Sequence, residues 1–204
     1  MRTILIISSL ILLISGSVLA NSPKVGRQAA QEYFQEDAKA YGRRPAAVQN
    51  AMMIYLGTFM GTQAYQWGCS CKMEDVGKSQ LGITYIYDEW NSMDLSIRVD
   101  YSEFKVGDVA PRKLSFLPLL TFPRIDSGFP LYFGIGAGAG VFMQQVDNES
   151  SISLDYQLVA GARFPEIWEA GGLFVEFAMK NHLHLLSDGQ LNGTALSAGG
   201  IFLF

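Results

Sequence analysis

Residues 93–101, MDLSIRVDY, decide the fold. Every second residue from Met93 to Tyr101 is apolar, and the residues between them are aspartate, serine and arginine. Side chains of a β-strand point alternately to its two faces, so a period of two predicts a strand with one apolar and one polar face. This segment alternates more sharply than the rest of the chain.

Much of the remaining sequence has the same period. Alternating segments occur at residues 80–88, 113–122, 131–143, 152–164, 173–182 and 194–204, which makes seven predicted strands. An eighth is predicted from Ile54 to Thr62, with Tyr55, Gly57, Phe59 and Gly61 on one face. The methionine-rich start of this segment is equally compatible with a helix.

The two faces of these strands predict a membrane barrel. The apolar faces are long and nearly unbroken, whereas the opposite faces mix glycine and serine with charges of both signs. In a membrane barrel the apolar side chains face lipid and the polar ones face the lumen. We therefore predict an all-β fold, an eight-stranded antiparallel transmembrane β-barrel over residues 51–204. A soluble secreted sandwich or a lipocalin-like barrel is the alternative.

The last strand carries a family resemblance. It ends in Ile201-Phe202-Leu203-Phe204, with apolar residues at alternate positions. In this pattern residues 50–204 resemble the small outer-membrane β-barrel superfamily, although many of its members have a tyrosine where Phe202 stands. The resemblance implies insertion by the barrel-assembly machinery, which in this family reads a last strand ending in an aromatic residue. It also implies contact with outer-membrane lipid and lipopolysaccharide.

The residues before the barrel predict export. Arg2, the apolar run after it, and the small or moderate residues Val18 and Ala20 at positions −3 and −1 predict a cleaved signal peptide over residues 1–20. Residues 21–50 are predicted as a periplasmic helical extension, because Val25 to Tyr41 has an apolar stripe at helical spacing. Removal of the signal peptide takes away one arginine and no acidic residue, so the net charge falls from −4 to −5. This balance argues against nucleic acid as a partner.

The polar strand faces carry charges that we expect in the lumen. They are Asp88, Asp94, Arg98, Asp100, Asp155, Arg163, Glu176 and Lys180. An isolated ion away from bulk water is costly, so these groups should pair. The interior of an eight-stranded barrel just holds its own side chains. We therefore expect a structural salt-bridge network without ion conductance; a polar path or a luminal acid–base site is the alternative.

Residues 182–187, HLHLLS, contain the segment that most suggests catalysis. His182, His184 and Ser187 near the rim of the last hairpin resemble the site of the lipid A deacylases, small outer-membrane barrels that use a serine, a histidine and an acid. Those enzymes have a His-x-Ser arrangement followed by a glutamate in the last strand. Here His184 stands where that spacing calls for serine, and no acidic residue lies between Asn192 and Phe204.

Without an orienting carboxylate, the histidine tautomer is not fixed and the serine lacks an activated base. Asp188 lies too close in sequence to be an obvious substitute. We therefore predict no catalytic, cofactor-binding or metal-binding residues. A lipid-modifying hydrolase that uses His182, His184 or Ser187 is the alternative.

Cys69 and Cys71 lie in a predicted outer loop. Export to an oxidising compartment favours a disulfide between them over free thiols. A structural metal site usually needs four ligands, and this loop offers two cysteines. We expect a disulfide that fastens the loop and has no chemistry of its own.

These features favour a protein of the bacterial outer membrane with a structural or surface-interaction role. Connections outside a membrane barrel are longer than those inside, and loops are where binding residues concentrate. The predicted contact surfaces are the three long connections, from Thr62 to Ser79, from Ser102 to Arg112 and from Leu183 to Gly193.

Overall fold

The computed structural model describes residues 50–204. The predicted signal peptide and the helix from Val25 to Tyr41 lie outside the described residues. Over residues 50–204 the regular secondary structure consists of β-strands. No helix in this range is long and apolar enough to cross a membrane.

Nine strands follow one another along the chain. They are β1 (Ala51–Tyr65), β2 (Lys72–Glu74), β3 (Gly77–Trp90), β4 (Met93–Phe104), β5 (Arg112–Phe122), β6 (Leu131–Gln144), β7 (Ile152–Trp168), β8 (Gly171–His184) and β9 (Gln190–Leu203). Each of β1 and β3–β9 pairs antiparallel with the next, and β9 pairs back with β1, which closes an eight-stranded barrel. The three-residue β2 pairs with the end of β1 above this barrel. The segment from Ile54 to Thr62 is therefore a strand and not a helix.

The barrel has two different ends. The upper end carries residues 66–76, 105–111, 145–151 and 185–189, and the lower end carries residues 91–92, 123–130 and 169–170. Ala51 and Phe204 also lie at the lower end, because β1 starts and β9 finishes there. The upper connections are shorter than the sequence predicts, since backbone pairing continues into polar residues such as Gln63 and Asn192. Such pairing satisfies backbone groups whatever the side chain, so hydropathy does not reveal it.

The outer wall of the barrel is apolar. Exposed side chains on it include Leu56, Ile83, Ile97, Phe116, Phe133, Ile135, Leu158, Leu173 and Val175. Charged side chains are buried inside instead, among them Arg98 and Glu176. A water-soluble sandwich or barrel would show the reverse arrangement, so the fold is of the transmembrane type.

Two bulges correct the predicted faces. The β3–β4 register shifts between Ile86 and Asp88, so Asp88 lies on the exposed surface and not in the lumen. The β1–β9 register shifts between Phe59 and Gly61, which removes Gly61 from the luminal face that holds Tyr55. A bulge adds one residue and reverses the parity beyond it.

The lumen is layered along the barrel axis. Near the lower end, Tyr55, Tyr132 and Phe174 belong to one buried apolar cluster, and near the upper end Trp67 and Phe142 belong to another. Glycines on the luminal face of β6 make room for luminal side chains of the neighbouring strands. A Cβ at Gly140, for example, would lie 2.5 Å from Ser153 Oγ and 2.7 Å from Asp155 Oδ2.

Candidate functional site at the upper end of the barrel

A buried ion pair crosses the centre of the lumen. Arg98 on β4 donates two hydrogen bonds to Glu176 on β8, at 2.7 Å and 2.8 Å, and both side chains are 1% exposed. Tyr132 donates to Glu176 Oε2 at 2.7 Å, and Arg98 Nε donates to Thr84 Oγ1 at 2.8 Å. β4 and β8 face each other across the barrel. The pair therefore blocks a path along the axis.

Ion pairs also lie above and below the centre. At the lower end Arg163 Nη1 contacts Asp94 Oδ2 at 2.9 Å, and the Ile125 backbone N–H donates to the same oxygen at 2.9 Å. On the upper side the pairs are Lys113–Asp155 at 2.9 Å and Lys180–Asp100 at 2.5 Å. The salt-bridge network predicted from the sequence is confirmed, with Asp88 outside it. The network also includes Lys113, which pairs with Asp155 and which the sequence interpretation did not count among the luminal charges.

A small cavity lies among the upper charges. Its volume is about 20 Å³, and Lys113, Asp155, Gln157, Lys180 and His182 are among the residues that line it. A cavity of this size has room for a single water molecule. It is too small for a substrate.

An aromatic cap closes the lumen above this cavity. Trp67, just after β1, is fully buried, and its ring meets the rings of His182 and His184 edge-on at 5.1 Å and 5.4 Å between centroids. Phe142 contacts the same two rings at 5.5 Å and 5.2 Å. Trp67 Nε1 donates to Gln145 Oε1 at 2.9 Å, which fastens the segment after β1 to the segment after β6.

Three polar side chains meet beside the cap. His184 Nδ1 lies 2.9 Å from Glu149 Oε2 and 3.2 Å from Ser187 Oγ. Ser187 Oγ donates to Glu149 Oε2 at 2.6 Å, and the Gly68 backbone N–H donates to Glu149 Oε1 at 2.7 Å. The carboxylate that the hydrolase alternative lacked is therefore present, from residues 145–151.

The geometry of this cluster differs from that of a catalytic triad. In a triad the acid holds one ring nitrogen and the nucleophile contacts the other. Here Glu149 and Ser187 both contact Nδ1 of His184, and Nε2 is buried without a hydrogen-bond partner among residues 50–204. Ser187 directs its proton to the carboxylate and not to an imidazole base. The cluster, as arranged, connects three upper segments.

Hydrogen bonding lowers the pKa of the Glu149 carboxyl group. Its partial burial acts to raise the pKa, but hydrogen bonds from Ser187, the Gly68 backbone and His184 outweigh burial and lower the pKa below the ordinary glutamate value. The ionised carboxylate is the form that can accept all three bonds.

The candidate residues of the sequence separate into two groups. His184 and Ser187 come together, whereas His182 Nδ1 instead accepts a hydrogen bond from Lys113 Nζ at 3.0 Å inside the lumen. Glu149 was missed as the acid, because it lies 35 residues before His184 and on a different hairpin. The β7–β8 register, in which Ser153 pairs with His184, brings the β6–β7 connection next to the β8–β9 connection, and local sequence does not give this register.

Cys69 and Cys71 form a disulfide, as predicted. Within residues 50–204 no group of histidine, cysteine and acidic side chains has the arrangement of a metal site. The disulfide lies in the same upper segment as Trp67 and Gly68, and therefore fastens the part of the chain that caps the lumen.

Comparisons with known proteins identify the fold. No family model and no curated protein matches the sequence. Among solved structures, Neisserial surface protein A is similar with a TM-score of 0.53 at 12% identity, over 76% of this chain and 97% of that one. The outer-membrane enzyme PagL has a TM-score of 0.49 at 17% identity, over 72% of this chain and 97% of its own. OprG of Pseudomonas aeruginosa has a TM-score of 0.44 at 12% sequence identity, over 76% of this chain and 95% of its own. Together with the closed barrel, the first similarity shows the fold of the small outer-membrane barrels.

Proposed function

We propose that this protein is a closed outer-membrane barrel with a structural and surface-interaction role, exercised through the connections at its upper end. The observation that carries the proposal is the Arg98–Glu176 pair across a lumen surrounded by an apolar outer wall. A filled lumen does not suit transport, and the apolar wall suits lipid.

The direction of the barrel follows from its two ends. Outer-membrane barrels have short periplasmic turns and longer external connections. Two of the three lower connections, 91–92 and 169–170, are two-residue turns, and the third, 123–130, is longer; each of the four upper connections has at least five residues. The start of β1 at Ala51 and the end of β9 at Leu203 also lie on the lower side. The proposal therefore places residues 66–76, 105–111, 145–151 and 185–189 outside the cell.

Cysteine labelling of intact cells tests this orientation. Asp108→Cys is an exposed site at the upper end, and Ser127→Cys is an exposed site at the lower end. A membrane-impermeant maleimide should label Asp108→Cys in intact cells and Ser127→Cys after lysis alone. The wild-type chain is the control, because Cys69 and Cys71 are joined in a disulfide. Labelling of Ser127→Cys in intact cells would contradict the proposed direction.

A second candidate function is ester hydrolysis at the upper rim. The observation that favours it is Glu149, whose Oε2 lies 2.9 Å from His184 Nδ1 and 2.6 Å from Ser187 Oγ. For catalysis His184 would have to turn Nε2 towards Ser187, because both neighbours contact Nδ1 in the structure.

Incubation of the purified protein with lipid A, followed by mass spectrometry of the lipid, tests this second candidate. Hydrolysis that disappears in Ser187→Ala and persists in Ser79→Ala, an exposed serine on β3, would support it. Unchanged lipid A with the wild-type protein would leave the first proposal as the function.

A further inference from the structure

A row of amide side chains interrupts the apolar outer wall. Asn181 on β8 pairs in register with Asn192 on β9, and Asn192 pairs with Gln63 on β1. Gln63 in turn pairs with Glu74 on β2. The neighbours of these residues along each strand, such as His182, Leu191 and Ala64, are buried in the lumen, so the amide row faces outward.

These amides are available to a ligand. Within residues 50–204, the side chains of Asn181 and Asn192 have no hydrogen-bond partner, and Gln63 Oε1 accepts one bond, from the Tyr65 hydroxyl at 2.7 Å. An amide carries two donor hydrogens and an acceptor oxygen. Three of them in one row therefore offer donors and acceptors together.

A notch lies directly below the amide row. The β1 bulge places Gly61 opposite Thr194, and Thr194 pairs in register with Met179. A Cβ at Gly61 would meet nothing closer than Thr194 Oγ1 at 3.8 Å, so the missing side chain leaves open space on the wall. The groove formed by the notch and the amide row has a volume of about 300 Å³. This is the lower end of the range for ligand sites.

The groove joins a polar surface to the lipid-facing one. Below the notch lies the cross-strand pair of Phe177 and Leu196, both exposed on the outer wall. Above it the lining includes the carboxylates of Glu74 and Asp75, with no lysine or arginine. A ligand that fits is apolar at one end and rich in hydroxyl or amide groups at the other. Lys72 Nζ pairs with Glu74 Oε1 at 3.0 Å, and Lys78 Nζ lies 3.4 Å from the Asp75 backbone oxygen. Because neither lysine lines the groove, the charge of the lining itself is negative, which disfavours a phosphate headgroup.

We propose that this groove binds one glycolipid molecule from the surrounding membrane. Its sugar hydroxyl and amide groups contact the row of Asn181, Asn192 and Gln63, and an acyl chain crosses the Gly61 notch and continues along Leu196. The proposal rests on the membrane location proposed above and adds a site and a lipid class to it.

Native mass spectrometry of the purified full-length protein in a sugar-free polyoxyethylene detergent tests the site. The probe is dipalmitoyl digalactosylglycerol, compared with dipalmitoyl phosphatidylethanolamine. We expect one bound glycolipid per barrel, with an apparent affinity at least about tenfold higher than that for the phospholipid. Equal affinity for the two lipids, or no bound glycolipid, would overturn the proposal.

Two variants locate the site on the barrel. Gly61→Leu fills the notch without meeting a close neighbour, and we expect it to weaken glycolipid binding about tenfold or more. Ala139→Leu adds the same side chain to an exposed position of β6 on the opposite wall and should bind as the wild type does. Wild-type affinity for the glycolipid in a folded Gly61→Leu variant would also overturn the proposal. So would binding of free digalactose to the wild-type protein as tightly as the glycolipid. Because the measurement is made in detergent, its failure leaves the labelling test of membrane orientation unaffected.

Discussion

Glu176 shows how much of this barrel depends on single buried charges. Its carboxylate receives both Arg98 nitrogens and the Tyr132 hydroxyl, and nothing in its surroundings exposes it to bulk water. A buried ion pair adds little over an apolar replacement of both partners, but removal of one partner leaves the other charge uncompensated. Stability should therefore respond strongly to single changes at this pair.

Glu176→Gln is expected to lower the free energy of unfolding by about 3–5 kcal/mol, because it leaves the Arg98 guanidinium buried without a counter-charge. Urea titration in lipid vesicles, followed by tryptophan fluorescence, measures the loss. Glu103→Gln is the matched control, since Glu103 contacts Arg112 at 3.7 Å on the exposed surface. The free energy of unfolding of Glu103→Gln should be lower than that of wild type by about 0–1 kcal/mol. Equal losses for the two variants would argue against the network as a stabilising element.

Glu149 predicts a pH dependence at the upper rim. Because hydrogen bonds lower its pKa in the folded state, the stability it contributes is present above the unfolded-state pKa, about 4.3 for a glutamate. That contribution is lost as the pH falls through the lower, folded-state pKa. His184, which gains charge on acidification, is the titratable side chain in contact with it.

The test compares wild type with Glu149→Gln, so that titrating groups remote from Glu149 cancel; the contribution of His184, which contacts Glu149, is measured together with that of the carboxylate. The difference in melting temperature between the two should be present at pH 7 and should shrink as the pH falls below about 4.3. Ser187→Ala should retain a pH-dependent difference from Glu149→Gln, because the carboxylate remains. A difference between wild type and Glu149→Gln that does not change with pH would contradict the assignment.

At the scale of elements, the segment after β1 closes the barrel. Trp67 enters the upper mouth between Phe104, Phe142 and the two histidines, and Gly68 holds Glu149. Three upper connections therefore contact one another through side chains, although no strand pairing joins residues 145–151 to residue 68. The aromatic cap packs the top of the lumen as Tyr132 and Phe174 pack its lower part.

Trp67→Ala is expected to lower the free energy of unfolding by about 3–5 kcal/mol, because it empties a fully buried site. Trp67→Phe keeps most of the ring packing but removes the hydrogen bond to Gln145. The free energy of unfolding should therefore fall by less than half as much as in Trp67→Ala. Guanidinium titration in detergent micelles compares the two. If Trp67→Phe lowers the free energy of unfolding as much as Trp67→Ala does, the hydrogen bond to Gln145, and not the ring packing, stabilises the cap.

For the whole molecule, closure predicts an absence of conductance. The centre of the lumen is crossed by Arg98 and Glu176, and the upper mouth is filled by Trp67. Purified wild-type protein in planar bilayers should give no steady single-channel current, even after the sample is shown to be folded by a mobility shift on boiling in SDS. Steady currents from folded protein would contradict the closed lumen.

Most of the fold could be predicted from local sequence. The period of two in residues 93–101 is imposed by strand geometry, and eight such segments place apolar side chains outside. The strand from Ile54 to Thr62 was ambiguous, because an apolar run of that length also suits a helix. Its pairing with both β3 and β9 decides the matter, since backbone groups in a closed barrel are satisfied between strands.

The sequence by itself determined the strands, most of their two faces and the need of luminal charges to pair, because alternation depends on neighbours along the chain. The tertiary structure alone decided the bulges that turn Asp88 and Gly61 away from the lumen, and the meeting of Glu149 with His184 and Ser187. It also decided the alignment of Asn181, Asn192 and Gln63. The physical reason is register: one extra residue changes which side chains are opposite each other, and hydropathy does not reveal where it is inserted.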